Sequence, residues 1–590
     1  MDAIIPVAPD PARAPALPVA MAPPTPPQTV RRPTARATER ATARATVASR
    51  APSAARALAA LVALAAFGAL PGAAAAQAPP PTAPPPALDA AARERLEARV
   101  RALVDSAALP SLAVAVARDG VVLWEAGFGH ADLARRVPAT PATLYSVASI
   151  SKPITATAVL RLVEQGRVRL DQPLDDWLPA RLDGAGGDRA RATVAHALSH
   201  TAGIPLHYRF FWVDAAERPD VGRTLARYGR VVFPPGAVYS YSNLGYGLLG
   251  ELVARAGGTS YERYVRDHVF RPLGMTRSTI GTGVGVAGRA VRYDAERRAI
   301  VDYDFDHRAA SAVFTSAHEL LRFGMFHLGT PPRTADGRVD GAWRAPLADS
   351  TRLRMQRVAT PGDTAAGYGL GWAIGHDQGA RRVMHTGGMP GVATVLALYP
   401  EARVAVVALA NQSSAIPMRV AEEIAAAVLP GDGAARLAAS RAAWRPIPPA
   451  GSGPAVSPGF APPAALLGEW RGTVRTHEGS LPLVLRVSGD EVRLRLGDRP
   501  GLWTLLNGAT LRDGVLRGRA VGTIPTRDAS SRPHVLALEL RLAGDTLAGW
   551  VAAQATTPTN DFSLSSYAAL RRAPERAAAA PSPSPSPGER

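Results

Sequence analysis

Residues 144–166 read LYSVASISKPITATAVLRLVEQG. Ser149 and Lys152 stand here at S-x-x-K, where a helix is expected to begin. Pro153 is tolerated at that point because the first N–H groups of a helix have no intrahelical partner to lose. Residues i and i+3 share a helix face with Cβ atoms about 5–6 Å apart, so the Lys152 amine can reach the Ser149 hydroxyl. The positive end of the helix favours an alkoxide and disfavours a nearby ammonium. Both effects push toward a neutral lysine that accepts the serine proton, the arrangement of an activated nucleophile. Taken alone, the four-residue pattern also fits a polar helix start.

Composition sharpens the reading. Lys152 is the only lysine in 590 residues, and the other 66 of the 67 basic residues are arginines. Arginine can supply surface charge but stays protonated, whereas a desolvated lysine can become neutral and act as a base. The chain has no cysteine, which excludes disulfides, thiolate metal sites, a cysteine nucleophile and a lipoprotein anchor.

Two further elements follow in order. VYSYSNLGYGLLGELV (238–253) holds Tyr241-Ser242-Asn243, a Y-x-N pattern ahead of an apolar helix. Tyr241 can share the proton work and Asn243 can hydrogen-bond a substrate amide; without Ser149, Tyr241 would read as a half-buried loop aromatic. RRVMHTGGMPGVATVLALYP (381–400) holds His385-Thr386-Gly387 at the start of a strand pattern. Glycines at 387 and 388 permit close approach of the backbone to a ligand. A backbone N–H there can pair with that of Ser149 as an oxyanion hole.

S-x-x-K, Y-x-N and H-T-G in this order resemble the serine β-lactamases, the DD-peptidases and their esterase relatives, nearest the class C branch. The resemblance spans roughly residues 86–435 and takes in the Asp119-Gly120 hairpin, "LSHTAGIP", "GYGLGW" and "HTGGMPG". It implies an α/β (α+β) β-lactamase-like domain, an antiparallel sheet flanked by helices, over 87–435. It also implies Ser149 as the acylated nucleophile, Lys152 and Tyr241 as shared acid and base, and the Ser149 and Gly388 amides as the oxyanion hole. Asn243, His385, Thr386 and Gly387 are then the substrate-binding residues. The substrate would be a small-molecule or peptide acyl compound, with no cofactor. The departure is His385, where β-lactamases and DD-peptidases typically carry lysine. Histidine is mostly neutral at pH 7, which weakens the case for an antibiotic or D-Ala-D-Ala substrate and favours esterase and peptidase chemistry. A non-catalytic module binding cell-wall peptides or a partner is the competing reading, as is a ligand carrier seated in the C-terminal part; an intact Ser149, Lys152 and Tyr241 argue against the former.

Outside this domain the chain reads as follows. Residues 1–56, rich in Pro, Ala, Thr and Arg, are expected to be disordered or to lie upstream of the true start, with Val47 as an alternative start. The 14-residue apolar run Ala57–Leu70 and the small residues after it have the order of a signal peptide over 57–78, so a periplasmic or secreted protein is expected, with an uncleaved anchor as the alternative. The run is shorter than the ~20 residues of a permanent span. PPPTAPPP (79–86) is a stiff linker, and 436–463 is a second one. From 464 to 575 apolar residues alternate, as in Leu481, Leu483, Leu485 and Val487, or Leu536, Leu538, Leu540 and Leu542, with turns at Gly489-Asp490 and Gly544-Asp545. This predicts an all-β lipocalin-like barrel or sandwich, followed by a disordered tail over 576–590.

The net charge of +18 invites a nucleic-acid reading. Its distribution argues otherwise: residues 1–77 hold a surplus of five, and the remainder is scattered without basic runs interleaved with aromatics. His196 and His200 stand at i, i+4, yet no third ligand accompanies them, so a turn after a helix outweighs a metal site. His307, His318 and His327 form no recognisable pattern.

Overall fold

The Asp119-Gly120 hairpin sets the frame. In the computed structural model Ser111–Arg118 and Val121–Asp132 pair antiparallel across this turn, whose two residues have φ of 53° and 80°. That is the left-handed pair that matches strand twist and that Asp-Gly adopts readily. Residues 88–433, 435, 438 and 460–574 are described, apart from 185–190, 214–217, 378, 490, 498–501 and 557–560. The expected extension, signal peptide, first linker and tail lie outside them, as does nearly all of the 436–463 linker.

The hairpin sits in an eight-stranded antiparallel sheet. Its order is Gly367–Tyr368, Ala373–Asp377, Ala380–Met389, Val392–Tyr399, Val404–Ala410, Ser111–Arg118, Val121–Asp132 and Val137–Pro138. Two interior strands, Val404–Ala410 and Ser111–Arg118, are buried on both faces, and their alternation sorts side chains into two layers. Leu112, Val114, Val116, Val404 and Val406 pack with Leu96, Val100, Leu103 and Val104 of the Ala90–Ser106 helix and with the Ile416–Val428 helix. Ala113, Ala115, Ala117 and Ala405 face the opposite layer, which includes the Ser151–Glu164, Asn243–Gly257 and Ala317–Leu328 helices. Small residues let those helices approach closely; a Cβ on Gly324 would stand 3.1 Å from that of Ala405.

The period-two segments after residue 464 form nine antiparallel strands that curl into a nearly closed barrel. The two ends of the strand path, Thr504–Leu505 and Asn507–Arg512, are adjacent in sequence, which draws the sheet round on itself. Leu483, Leu485, Val492, Leu494, Leu536, Leu538 and Leu540 fill its interior as the alternation requires.

The barrel is joined to the first domain by main chain as well as side chains. Tyr208–Trp212 pairs with Phe562 and Ser563 of the last barrel strand on one edge and with Tyr303–Phe305 on the other. Val232, Phe233 and Val238 share an apolar cluster with Val515, Trp550, Ala552 and Tyr567, and the Tyr228 hydroxyl donates to the Asp528 carboxylate.

Candidate active site

Ser149 lies in a one-turn 3-10 helix, Ala148–Ile150, which runs directly into the Ser151–Glu164 α-helix, so Lys152 occupies that helix's first turn. The turn is strained: Ala148 has φ of 46°, a left-handed conformation that costs a non-glycine residue about 1–2 kcal/mol. Its surroundings hold it there. Ser151 Oγ donates to the Ala148 carbonyl at 2.7 Å and accepts from the Val313 N–H at 3.1 Å, and Thr394 Oγ1 donates to the Val147 carbonyl at 3.1 Å.

Lys152 is fully buried. Its Nζ lies 3.0 Å from Ser149 Oγ, 2.7 Å from Asn243 Oδ1 and 3.1 Å from the Ala310 carbonyl oxygen. Burial pulls the amine well below its usual range. A neutral amine has two N–H donors and one lone pair. Two of its three neighbours, Asn243 Oδ1 and Ala310 O, can only accept, so the lone pair is left for the Ser149 O–H. Asn243 caps this arrangement from the first residue of the Asn243–Gly257 helix, whose N-cap is the Ser242 hydroxyl accepting from the Gly245 N–H. With its oxygen committed to Lys152, Asn243 has its amide NH2 for a ligand.

Tyr241 completes the cluster. Its ring sits 4.7 Å from Lys152 Nζ, and its hydroxyl hydrogen-bonds with Ser149. Burial raises the phenol, with the Ser149 hydrogen bond opposing, so Tyr241 holds its proton at neutral pH. A buried amine with its lone pair on the hydroxyl can take a proton, and a protonated phenol beside it can give one.

The H-T-G strand reaches the same place. Ala373–Asp377 pairs with Ala380–Met389 only as far as Met384, so among the described residues the strand edge from His385 onward carries no sheet neighbour on that side. Gly387 lies against the nucleophile turn: a Cβ there would stand 2.1 Å from Val147 O and 2.3 Å from Thr394 Oγ1. Thr386, Gly387 and Gly388 line a cleft of about 530 Å³ with Ser149 and Asn243. His385 is not among the residues lining this cleft and is buried, with Nδ1 2.7 Å from the Thr386 carbonyl and Nε2 3.0 Å from the Tyr368 hydroxyl. Burial, with Lys152 nearby, lowers its imidazole to about 3. Nδ1 therefore carries the proton and Nε2 accepts from Tyr368.

Sequence alone does not single out Tyr239, Tyr246, Tyr208 or Phe210, and gives His200 and His307 no catalytic reading. Tyr239, Tyr241, Tyr246 and Tyr368 surround His200, with ring centroids between 4.3 and 6.0 Å away. His200 Nδ1 accepts from the Ser242 N–H at 3.0 Å and so helps place the Y-x-N turn. His196 instead closes a capping box with Thr193. His307 lines the cleft, held at 2.5 Å by Asp306. His200 and Tyr368 fall within the "LSHTAGIP" and "GYGLGW" stretches of the resemblance, which carry no site role by themselves; nothing local marks His307. Tyr208 and Phe210, from the strand paired with the barrel, form part of the cleft wall, as do Met389, Pro417 and Met418.

Comparison with known proteins fits this arrangement. Protein flp of Staphylococcus aureus (strain MW2) is 24% identical over 326 residues, 54% of this chain and 62% of that protein. Penicillin-binding protein 4* of Bacillus subtilis (strain 168) is 26% identical over 320 residues, 51% of this chain and 67% of that protein. The chain thus spans less than two thirds of the length of Protein flp. The crystal structure of SurE with D-Leu superposes over 82% of this chain and all of its own, with a TM-score of 0.53 and 24% identity, a likeness of fold that extends into the barrel. A family model described as Beta-lactamase matches residues 96–429, more than half the chain. That segment holds the eight-stranded sheet and every residue placed around Ser149, and this chain belongs to the beta-lactamase family.

Proposed function

We propose that the protein is an exported serine hydrolase that forms an acyl-enzyme on Ser149 and hydrolyses an ester, amide or lactam bond. The observation that carries this is the buried Lys152 amine, 3.0 Å from Ser149 Oγ with the acceptors Asn243 Oδ1 and Ala310 O on its other sides; in the neutral amine this leaves the lone pair for the Ser149 proton. In the first step Lys152 takes the Ser149 proton as Oγ bonds to the carbonyl carbon. The developing oxyanion is received by the Ser149 and Gly388 amides. Tyr241 gives its proton to the leaving group and regains one from Lys152, and water then releases the acyl group.

His385 stands where a fixed cation would receive a substrate carboxylate, and its neutral imidazole is turned onto Tyr368 and Thr386. Short esters and amides without that carboxylate are therefore the expected substrates, and penicillins are expected to be turned over poorly. Export rests on the apolar run at 57–70; no helix among the described residues is long and apolar enough to cross a membrane.

A fluorophosphonate label located by peptide mass spectrometry tests the nucleophile, with modification of Ser149 expected. A panel of short-chain esters, D-amino-acid peptides, benzylpenicillin and a chromogenic cephalosporin tests the substrate class. No label and no turnover on any of them would sink the hydrolase reading. Penicillin turnover at the rate of a dedicated β-lactamase would sink the ester preference.

A further inference from the structure

The strand pair Tyr208–Trp212 and Tyr303–Phe305 is short, but it fixes the residues beyond its ends. Phe210 lies opposite Phe305, and the antiparallel register carried on brings His207 alongside Asp306 and Arg308. There His207 Nε2 lies 2.6 Å from one Asp306 carboxylate oxygen, and His307 Nδ1 lies 2.5 Å from the other. All three side chains are buried. A single carboxylate thus receives an N–H from each of two imidazoles, which fixes the His307 ring and its tautomer. With Nδ1 protonated toward Asp306, Nε2 is the lone-pair nitrogen; it meets no partner among the described residues, and the side chain lines the cleft beside Ser149, Asn243 and Ser311.

A histidine that only capped the short Arg308–Ser311 helix would not need a carboxylate and a second imidazole behind it. The far side is braced as well. His207 stacks on Tyr228 with ring centroids 4.3 Å apart, and the Tyr228 hydroxyl donates to Asp528 of the barrel. Among the described residues, the charged and titratable groups acting on His307 are Asp306, His207 and Lys152. The Asn243–Gly257 helix presents Gly247 to it, and Arg308 is turned away onto Asp304 and Glu262. Burial is the largest influence and lowers the imidazole, so His307 is unprotonated at neutral pH.

We propose that His307 is a second proton-transfer group of the cleft, which takes the proton of the water that releases the acyl group from Ser149. The proposal rests on the acyl-enzyme reading above. The water oxygen bonds to the acyl carbon while one water proton passes to His307 Nε2. The carbon–Oγ bond then breaks, and Ser149 Oγ takes a proton from Tyr241. Solvent returns the proton from His307 to Tyr241, so one proton is gained and one given for each acid released.

The test separates the two half-reactions with p-nitrophenyl acetate as the probe. In His307→Gln and His307→Ala, the rate of the initial nitrophenol burst is expected to stay within about threefold of wild type. The steady phase should fall roughly 10²–10³-fold, in the range of positioned general-base catalysis, and acetylated Ser149 should accumulate in the intact mass. Added imidazole should restore the steady phase in His307→Ala. In the wild type, the steady phase should decline in acid below the ordinary histidine range while the fluorophosphonate labelling rate follows a different profile. Equal losses in burst and steady phases, an unchanged steady phase, or no imidazole rescue would overturn the role of His307. If a variant does not fold, shown by loss of its far-ultraviolet circular dichroism and cooperative thermal transition, the wild-type profile decides: identical pH dependence of labelling and steady phase overturns it. Absence of any acyl-Ser149 in the wild type would instead sink the acyl-enzyme reading.

Discussion

Gly387→Ala is a perturbation whose size can be worked from the contacts. An added Cβ would lie 2.1 Å from Val147 O and 2.3 Å from Thr394 Oγ1. A carbon–oxygen contact needs about 3.2 Å by ordinary van der Waals packing, so strand and turn must separate by roughly 1 Å. The partner on one side is a backbone carbonyl of the turn that carries Ser149, and that turn is pinned by Ser151, Val313 and Thr394. It cannot yield without moving the nucleophile. Overpacking of this kind costs about 1–3 kcal/mol, and a misplacement near 1 Å at reacting groups costs about 10²-fold in rate. Fluorophosphonate labelling of Ser149 is therefore expected to slow by about 10²-fold, with a measurable fall in thermal midpoint. Gly375→Ala is the control: it lies in the same sheet with nothing within 4 Å of the added carbon, and it should leave both readouts near wild type. A Gly387→Ala variant that labels at the wild-type rate with an unchanged midpoint would refute the claim that this strand edge positions the nucleophile.

Two further outcomes follow from packing and charge. The folded His385 titrates near 3 rather than at its ordinary 6.5, so below pH 6.5 the unfolded chain binds the extra proton. This stability is complete above pH 6.5 and is lost as the pH falls toward 3, up to about 5 kcal/mol in the limit. Urea midpoints measured from pH 7 to 4 should fall less steeply in His385→Gln than in wild type; parallel curves would contradict the buried neutral imidazole. A chain ending at residue 433 lacks the barrel, leaving Tyr208–Trp212 without its Phe562–Ser563 partner and exposing Val232, Phe233 and Val238. It is expected to be insoluble or unlabelled at Ser149, and full-rate labelling would show that the barrel does not brace the cleft.

What could be read from sequence was local. S-x-x-K is legible because three residues along one helical turn suffice to bring amine to hydroxyl. The Asp119-Gly120 hairpin is legible because its turn chemistry lies in two adjacent residues, and the barrel because alternation repeats over strands of five to ten residues. The Asp306 cluster was not legible, since its imidazoles are 100 residues apart in sequence and meet through a strand pair of five and three residues, too short to show a period. The attachment of the barrel was hidden for a related reason. Tyr208 pairs with Ser563 across more than 350 residues, and main-chain pairing at that range leaves no mark in composition. His385 could be recognised as a departure, but its burial on Tyr368 could not.

The central claim is that Lys152 works as an unprotonated base, and Lys152→Arg tests it directly. Guanidinium keeps the positive charge but cannot be deprotonated in a protein, so it offers Ser149 no lone pair. Ester hydrolysis by Lys152→Arg is expected to fall at least 10²–10⁴-fold, the range for loss of positioned proton transfer. Lys152→Met, which removes charge and base together, should fall by a similar factor. Thermal midpoints taken alongside report whether each variant remains folded. An Arg variant that retains most of its activity while the Met variant loses it would show that Lys152 supplies charge alone, and the proton would have to be taken by Tyr241.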